Sequence, residues 1–271
     1  MTDLLFPEDT LARRIAAYEN TAKANEGLHA LFTAQTDRIA YLKRHRDWVE
    51  KNRWGMGDRA FHYMWMLILA DAAARFPSLD LLEIGVFKGQ TISLWALITR
   101  ELGLNASITA ISPFEGNLKP QPRLLHSLRK KLDPTYREAN AVGNLHAIDD
   151  YLARNREIFT AFDLDFGGVK AIKGFSNAPE ITAQVSNETF ALVYIDGDHT
   201  LEVARSDIAT YAPLVRAGGY LIMDDAACFL PGETFWKGFE SVSKACEDIP
   251  ALGFTNVINI GHNRIFQKNG S

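Results

Sequence analysis

The chain has 271 residues, of which 47 % are hydrophobic and 23 % charged, and its formal net charge is −4. This composition is typical of a soluble enzyme with one substantial core, and the acidic balance argues against nucleic acid as a partner. The two cysteines, Cys228 and Cys246, lack the spacing of metal ligands or a disulfide framework, which favours a cytoplasmic location. The longest apolar run, Met64 to Ala70, is too short to span a bilayer, so no membrane partner is expected.

The first 78 residues have the apolar spacing of helices. Leu11 and Ile15 share one helical face, and Phe61 and Met64 share another. The sequence therefore predicts an N-terminal helical extension over residues 1–78. We expect this extension to act as a lid, or to make substrate or oligomer contacts.

Beyond residue 78, strand and helix patterns alternate along the chain. Residues 115–168 interrupt the alternation with three prolines and are interpreted as an insertion with one or two short helices. The hairpin signal is Gly261-His-Asn. Five strand–helix units and a closing hairpin predict an α/β fold with seven strands, one of them reversed. The strands are expected at about 79–86, 107–112, 169–173, 190–196, 219–224, 254–260 and 264–268, and the helices at about 90–102, 177–186, 200–215 and 234–248.

Two apolar runs, residues 190–195 and 218–223, each end abruptly in carboxylates. Apolar runs without alternation are typical of parallel strands covered on both faces, and such sheets bind ligands beyond the carboxyl ends of their strands. Acids gathered at one rim repel each other, which raises their pKa values or requires a cation. The sequence therefore places a functional centre at this rim. Its side chains are Asp196, Asp198, His199, Asp224 and Asp225.

A glycine turn follows the first strand of this region, in the segment Glu83-Ile-Gly85-Val-Phe-Lys-Gly89. Such a turn lets a ligand approach the backbone at a helix N-terminus. Phe87 replaces the second glycine of the dinucleotide fingerprint, so a pyrophosphate would lack its close approach. The spacing instead suits a cofactor without phosphates, whose ammonium group meets the carboxylate of Glu83. The alternative is a simple tight turn with Glu83 on the surface.

With these motifs together, residues 79–268 resemble a class I S-adenosylmethionine-dependent methyltransferase. The segments Leu-Glu-Ile-Gly-Val, Ile-Asp-Gly-Asp-His and Gly-Gly-Tyr-Leu-Ile-Met-Asp-Asp resemble the metal-dependent macrocin and mycinamicin type of sugar O-methyltransferase. The resemblance implies a Rossmann-like sheet of order 3-2-1-4-5-7-6, with strand 7 antiparallel and helices on both faces. The methyltransferase domain would then occupy residues 79–271, after the helical extension.

The resemblance also implies roles for particular residues. The S-adenosylmethionine site falls on Glu83, Gly85 and Gly89, on the strand ends at Ser112 and Ser176, and on Asp196. Ser112 and Ser176 stand where many relatives have acids, and a hydroxyl gives the ribose a weaker contact than a charged group. Glu115 is close enough in sequence to compensate. Metal binding falls on Asp196, Asp224 and Asp225, and catalysis on His199 as general base with Asp196.

Three carboxylates without cysteine favour a hard cation, Mg²⁺ or Mn²⁺. Mg²⁺ would lower the pKa of a substrate hydroxyl, and a histidine could then accept its proton. The alternative is that Asp196 contacts only the cofactor, Asp224 caps a turn and His199 caps the next helix. The predicted function is methyl transfer to a hydroxyl of a small molecule, a sugar or a glycosylated natural product, in a chain that could form a homo-oligomer. Three other functions remain open: a metal-free methyltransferase, a related iron-dependent hydroxylase-type enzyme, and a non-catalytic cofactor-binding accessory protein.

Overall fold

A seven-stranded sheet forms the centre of the molecule in a computed structural model that describes residues 9–119, 121–231 and 235–270. The strands are β1 (Leu79–Ile84), β2 (Ala106–Ser112), β3 (Val169–Lys173), β4 (Phe190–Ile195), β5 (Val215–Met223), β6 (Phe254–Ile260) and β7 (Asn263–Lys268). Their order is β3-β2-β1-β4-β5-β7-β6. All neighbours are parallel except β7, which runs antiparallel to both β5 and β6. The predicted fold class and strand order are confirmed.

Helices cover both faces of the sheet. They are α1 (Leu11–Ala16), α2 (Ala22–Arg38), α3 (Ala40–Asn52), α4 (Ala60–Ala73), α5 (Gln90–Leu102), α6 (Arg123–Leu132), α7 (Pro134–Ala141), α8 (Tyr151–Ala161), α9 (Pro179–Thr182), α10 (Leu201–Tyr211) and α11 (Glu240–Ala245), with 3-10 turns at Phe166–Gly168, Ala212–Leu214 and Cys246–Leu252. β4 is buried along its whole length, as its unbroken apolar sequence predicts. None of the described helices is long and apolar enough to cross a membrane.

The N-terminal helices form part of the core on one face of the sheet. α4 is apolar on nearly all sides and is almost entirely buried. Its Trp65 packs edge-on against Trp95 of α5, with ring centroids 5.0 Å apart, and against Tyr194 of β4 at 5.1 Å. The opposite face packs against α10 and α11 through Ile208 and Val242. The extension therefore covers the sheet directly.

The region between β2 and β3 differs from its prediction. Its described part contains three helices, α6, α7 and α8, where one or two were expected. The last of them, α8, packs against α5 and serves as the crossover helix that a parallel β2–β3 pair requires. The added segment is therefore residues 115–150, which we call the insertion. The isolated bridges Glu115–Asp150 and Leu118–Ala147 hold its two ends together.

Several helix boundaries also differ from the prediction, for identifiable reasons. The helix expected at 177–186 is only Pro179–Thr182, because a β-branched and polar sequence follows it. Pro213 stops the helix expected at 200–215, so α10 ends at Tyr211. The helix expected at 234–248 begins only at Glu240, because Gly238 has a φ of +85°. The first residue of that prediction, at 234, lies outside the described residues.

Candidate active site

The acids that follow β4 and β5 meet at one rim of the sheet. Backbone ladder bonds continue past both strands, since the Asp196 N–H donates to Ile84 O (2.8 Å) and the Asp224 N–H donates to Ile195 O (3.0 Å). Asp225 then turns with a φ of +50°, which is uncommon for a residue other than glycine. The parallel pairing of neighbouring strands therefore brings Asp196, Asp224 and Asp225 together, as the sequence predicts.

The three carboxylates perturb one another strongly. Burial, followed by the charges of Asp224 and Asp225, raises the pKa of Asp196 well above its usual range, although a third of its side chain (32 %) remains exposed. Burial also pushes the pKa of Asp224 upward, but the nearby His262 cation outweighs it and the net pKa is lowered. The pKa values of Asp196 and Asp224 thus move in opposite directions, although the two carboxyls lie in one buried cluster. A cation at this position would relieve the repulsion.

His199 points one bare ring nitrogen at these acids. Its Nδ1 lies 2.7 Å from the carbonyl oxygen of Val142, and an acceptor there requires a proton on Nδ1. In the neutral ring, Nε2 then carries the lone pair. Nε2 lies 3.7 Å from Asp196 Oδ1 and 3.6 Å from Asp225 Oδ2, and it is buried without a hydrogen-bond partner among the described residues. His199 therefore does not cap α10.

The fifth rim residue of the prediction, Asp198, makes a local contact. Its Oδ1 accepts a hydrogen bond from the Thr200 N–H (2.8 Å) at the start of α10. A carboxylate there satisfies an otherwise unpaired backbone donor. A role of Asp198 in the rim site stays a prediction.

His262 joins the cluster, and the sequence analysis missed it. Its Nε2 lies 3.1 Å from Asp224 Oδ1, and the ligand atoms of Asp224, Asp225 and His262 all lie within 4.8 Å of one another. Burial alone would lower the pKa of His262, but the charges of Asp224 and Asp225 raise it to about 10. The signal was present in the topology. Because Arg264 of β7 pairs with Met223 of β5, the hairpin turn must lie beside Asp224.

The glycine turn after β1 lies beside the same rim. Gly85 has a φ of +91°, and a Cβ there would stand 1.9 Å from the carbonyl oxygen of Asp196. Gly89 has a φ of +82°, and a Cβ there would stand 2.5 Å from Asn155 Oδ1. Both glycines are thus required by close packing of the chain itself, whatever ligand the turn binds. Substituting Gly85 would displace Asp196 as well as disturb any donor site.

Glu83 is buried beneath this turn, so the alternative that places it on the surface is wrong. Its side chain is close to Thr91 and its Oε2 has no hydrogen-bond partner among the described residues. Burial, with a smaller contribution from the charge of Asp224, raises its pKa to about 8. Glu83 is therefore mainly protonated at neutral pH without a ligand. The unpaired oxygen fits a cationic group placed against the turn.

A cavity of about 330 Å³ opens between the glycine turn and the insertion. Phe87 and Tyr151 line it with rings 4.7 Å apart, and Lys88 and Asp149 contribute opposite charges. Burial, then the neighbouring His199, lowers the pKa of His146 at the same wall, so that ring is neutral at pH 7. A larger cavity of about 600 Å³ lies between α8 and β3. The rim acids line neither cavity, but the smaller one includes Gly143, which lies beside the His199 ring.

The comparisons with known proteins agree with this geometry. A family described as a methyltransferase domain matches residues 82–226, which span the glycine turn and all three clustered acids. The chain belongs to this family. No curated protein sequence matches it.

Three of the solved structures similar to this methyltransferase are themselves described as methyltransferases. The O-methyltransferase NovP is 17 % identical, with 77 % of this chain and 79 % of that chain covered and a TM-score of 0.55. A Podospora anserina methyltransferase bound to SAH is 16 % identical, with 91 % of this chain and 97 % of that chain covered and a TM-score of 0.54. An O-methyltransferase from Bacillus cereus in complex with SAH is 12 % identical, with 90 % of this chain and 98 % of that chain covered and a TM-score of 0.53. At these identities the likeness concerns the fold, which is that of the class I S-adenosylmethionine-dependent methyltransferases.

The two serines expected at the donor site make internal contacts in this methyltransferase. The Ser112 hydroxyl donates to Val86 O at 2.9 Å, which ties the end of β2 to the glycine turn. The Ser176 hydroxyl faces the buried carboxyl of Asp207 on α10. Glu115 forms an exposed ion pair with Lys173 at 3.0 Å. A ribose contact by Ser112 or Ser176 would require either hydroxyl to exchange its present partner, and it stays a prediction.

Proposed function

We propose that this methyltransferase transfers a methyl group from S-adenosylmethionine to a hydroxyl of a small molecule, a sugar or a glycosylated natural product, with the help of a divalent metal ion. The observation that carries the proposal is the bare, buried Nε2 of His199, which faces Asp196 and Asp225. A proton acceptor beside a carboxylate cluster is what removal of a hydroxyl proton requires.

The donor would lie against the glycine turn. Glu83 offers its unpaired Oε2 to the ammonium group, and the turn between Gly85 and Gly89 leaves the backbone open to a ligand. Ser112, Ser176 and Asp196 are proposed to complete this site at the ends of β2, β3 and β4. The donor supplies the methyl group and leaves as S-adenosylhomocysteine.

Asp196, Asp224 and Asp225 are proposed to hold the metal ion. Their donor atoms are the oxygens that Mg²⁺ and Mn²⁺ prefer. Asp224 Oδ1 has no hydrogen-bond partner among the described residues, and the pKa of Asp196 and that of Asp225 are raised by burial and then by Asp224. Both observations fit a cation. Its chemical contribution would be to hold the acceptor oxygen and lower the pKa of the hydroxyl.

His199 would take the proton of the acceptor hydroxyl on Nε2. The Val142 carbonyl keeps the other ring proton on Nδ1, so the ring is oriented before the acceptor arrives. The C–O bond would form as the C–S bond of the donor breaks. The nearby carboxylates of Asp196 and Asp225 would then stabilise the positive charge of the imidazolium. The remaining task of the protein is to align oxygen, methyl carbon and sulfur.

The acceptor class is proposed from the cavity beside the rim. Its volume of about 330 Å³ suits one ring with short substituents, and ligand pockets usually start at about 300 Å³. Phe87 and Tyr151 offer ring faces, whereas Lys88, His146 and Asp149 offer polar contacts to hydroxyl groups. Together with the sugar-methyltransferase motifs, this combination favours a hydroxylated ring.

The test is methyl transfer from labelled S-adenosylmethionine to a panel of monosaccharides, glycosylated natural products and catechols. We expect transfer to a sugar hydroxyl, loss of transfer after chelation, and recovery with Mg²⁺ or Mn²⁺. Asp225→Asn should abolish turnover, whereas the matched Asp198→Asn should not, because the amide oxygen can still accept the hydrogen bond from the Thr200 N–H. Transfer that resists chelation would favour a metal-free enzyme. Donor binding without any transfer would favour an accessory protein, and oxygen consumption a hydroxylase-type enzyme.

A further inference from the structure

The contact between His262 and Asp224 is close but is not a hydrogen bond. The two atoms, Nε2 and Oδ1, lie 3.1 Å apart, yet Oδ1 has no hydrogen-bond partner among the described residues. The N–H and the lone pair are therefore not directed at each other. Asp224 Oδ1 therefore remains available to a further partner, close to the His262 ring nitrogen.

The separations match those of two ligands on one ion. Ligand atoms at about 2.1 Å from a metal lie about 3.0 Å apart at octahedral angles and about 3.4 Å apart at tetrahedral angles. The 3.1 Å between His262 and Asp224 falls in this range. The ligand atoms of Asp224, Asp225 and His262 all lie within 4.8 Å of one another, so small rotations of the carboxylates would complete the set.

The backbone that carries His262 is held in place by an N-terminal helix and not by its own hairpin alone. Asn25 of α2 donates from Nδ2 to Gly261 O (2.9 Å) and accepts at Oδ1 from the Gly261 N–H (2.8 Å). The His262 carbonyl accepts a hydrogen bond from the Ala226 N–H at 2.9 Å. The side chain is 94 % buried, with only 6 % exposed. A histidine whose backbone is held on both sides and whose ring is buried is well suited to bind a metal ion.

We propose that His262 is a ligand of the metal ion, together with Asp224 and Asp225. This inference rests on the proposed function, because it assigns one more residue to the same metal site. It also changes the expected metal. A site with carboxylates and one imidazole binds first-row transition ions such as Mn²⁺ or Co²⁺ better than Mg²⁺, which favours an all-oxygen set.

The test is pulsed electron paramagnetic resonance of the full-length protein loaded with Mn²⁺ alone. We expect modulation from a directly bound histidine nitrogen, which changes from the ¹⁴N to the ¹⁵N pattern when the histidines are labelled. His199 is the other ring near the acids, so the matched variants are His199→Gln and His262→Gln. The nitrogen signal should persist in the first variant and vanish in the second.

Binding titrations with Mn²⁺ and Mg²⁺ give an independent measure. His262→Gln should weaken Mn²⁺ binding at least about tenfold and reduce the preference for Mn²⁺ over Mg²⁺, since a nitrogen ligand is lost. Mn²⁺ bound without nitrogen modulation, or bound as tightly or more tightly by His262→Gln, would overturn the assignment of His262 and leave the carboxylate site standing. A wild-type protein that binds neither ion would remove the metal from the proposed function as well.

Discussion

A single backbone carbonyl determines which nitrogen of His199 is available for chemistry. Because Val142 O accepts the proton of Nδ1, Nε2 is left as the acceptor and faces the acids. The ring of Phe239 stacks on the imidazole at 4.6 Å and restricts its rotation. The residue type was evident from the sequence, but its tautomer depends on a residue 57 positions away.

His199→Gln should lower the turnover number by about 10²- to 10⁴-fold, because a positioned base is lost. Donor and metal binding should be little changed, since glutamine keeps most of the volume. Steady-state kinetics and calorimetry with S-adenosylhomocysteine measure the two effects. His126→Gln is the control, because that ring contacts Tyr136 in the insertion and not the acids. Near-normal turnover of His199→Gln would mean that another group takes the proton.

Asp207 is a buried carboxyl beneath the loop that carries Asp196. It is fully buried, and burial, opposed in part by Ser176, raises its pKa from 3.8 to about 7. The folded state therefore binds a proton that the unfolded state has lost between these two values. The stability that this proton provides is complete below about pH 4 and is lost as the pH rises through about 7.

Asp207→Asn should remove this pH dependence, because an amide stays neutral. The free energy of unfolding of the variant, relative to wild type, should rise between pH 4 and pH 7 by at most about 4 kcal/mol. Urea unfolding at several pH values measures the difference, with Asp163→Asn, at an exposed position, as control. A difference that stays constant across this range would show that Asp207 titrates normally.

At the scale of elements, α2 and the β6–β7 turn depend on each other. The Asn25 amide replaces the ladder bonds that Gly261 lacks, and its side chain is buried. This contact joins residues 236 positions apart, so no local pattern in the sequence could have indicated it.

Asn25→Ala should lower the free energy of unfolding by about 2–4 kcal/mol, because two buried backbone groups lose their partners. It should also weaken Mn²⁺ binding, because His262 follows Gly261 directly. Denaturant unfolding and metal titration measure the two losses. Asn52→Ala is the control, because the Asn52 amide donates an exposed hydrogen bond to Trp48 O. We expect it to change the free energy of unfolding by no more than about 0.5 kcal/mol. Equal effects of the two substitutions would mean that the hydrogen bonds between Asn25 and Gly261 do not stabilise the fold.

The elements show where sequence reasoning succeeds. Strands buried on both faces were found within a few residues, and α5 was found with its Gly103 end, because burial and a left-handed glycine leave local signals. The helices of the insertion could not be placed from the sequence, because α6 has no buried residue that would set an apolar pattern. The three clustered acids are predicted correctly because they follow directly after apolar strands. His262 is not predicted because its position beside them depends on strand order.

For the molecule as a whole, the N-terminal helices cover one face of the sheet together with α5 and α8. Trp65 and Tyr63 of α4 are fully buried there, and Tyr63 donates a hydrogen bond to Asp9. A boundary at residue 78, drawn from sequence patterns, would therefore pass through a continuous core. The lid, substrate and oligomer roles of the extension remain predictions.

A chain that starts at residue 79 should not fold cooperatively, because removal of α4 exposes the apolar face of β1, β4 and the helix α5. Near-ultraviolet circular dichroism and thermal unfolding should show loss of fixed aromatic packing and of the sharp transition. The full-length chain is the control. A cooperative transition in the shortened chain would instead establish residues 79–271 as an independent domain.

The bond between Val142 and His199 has a consequence for redesign. Residues 143 and 145–149 of the insertion line the cavity that we propose for the acceptor, so the insertion is an obvious segment to exchange when a new acceptor is wanted. Yet the same segment fixes the proton on His199. A graft that reshapes the cavity but supplies no carbonyl at the position of Val142 would let the ring adopt the other tautomer. The segment that would determine the range of acceptors therefore also determines the tautomer of His199. Loop libraries should keep Val142 and the nearby Asn144 unchanged.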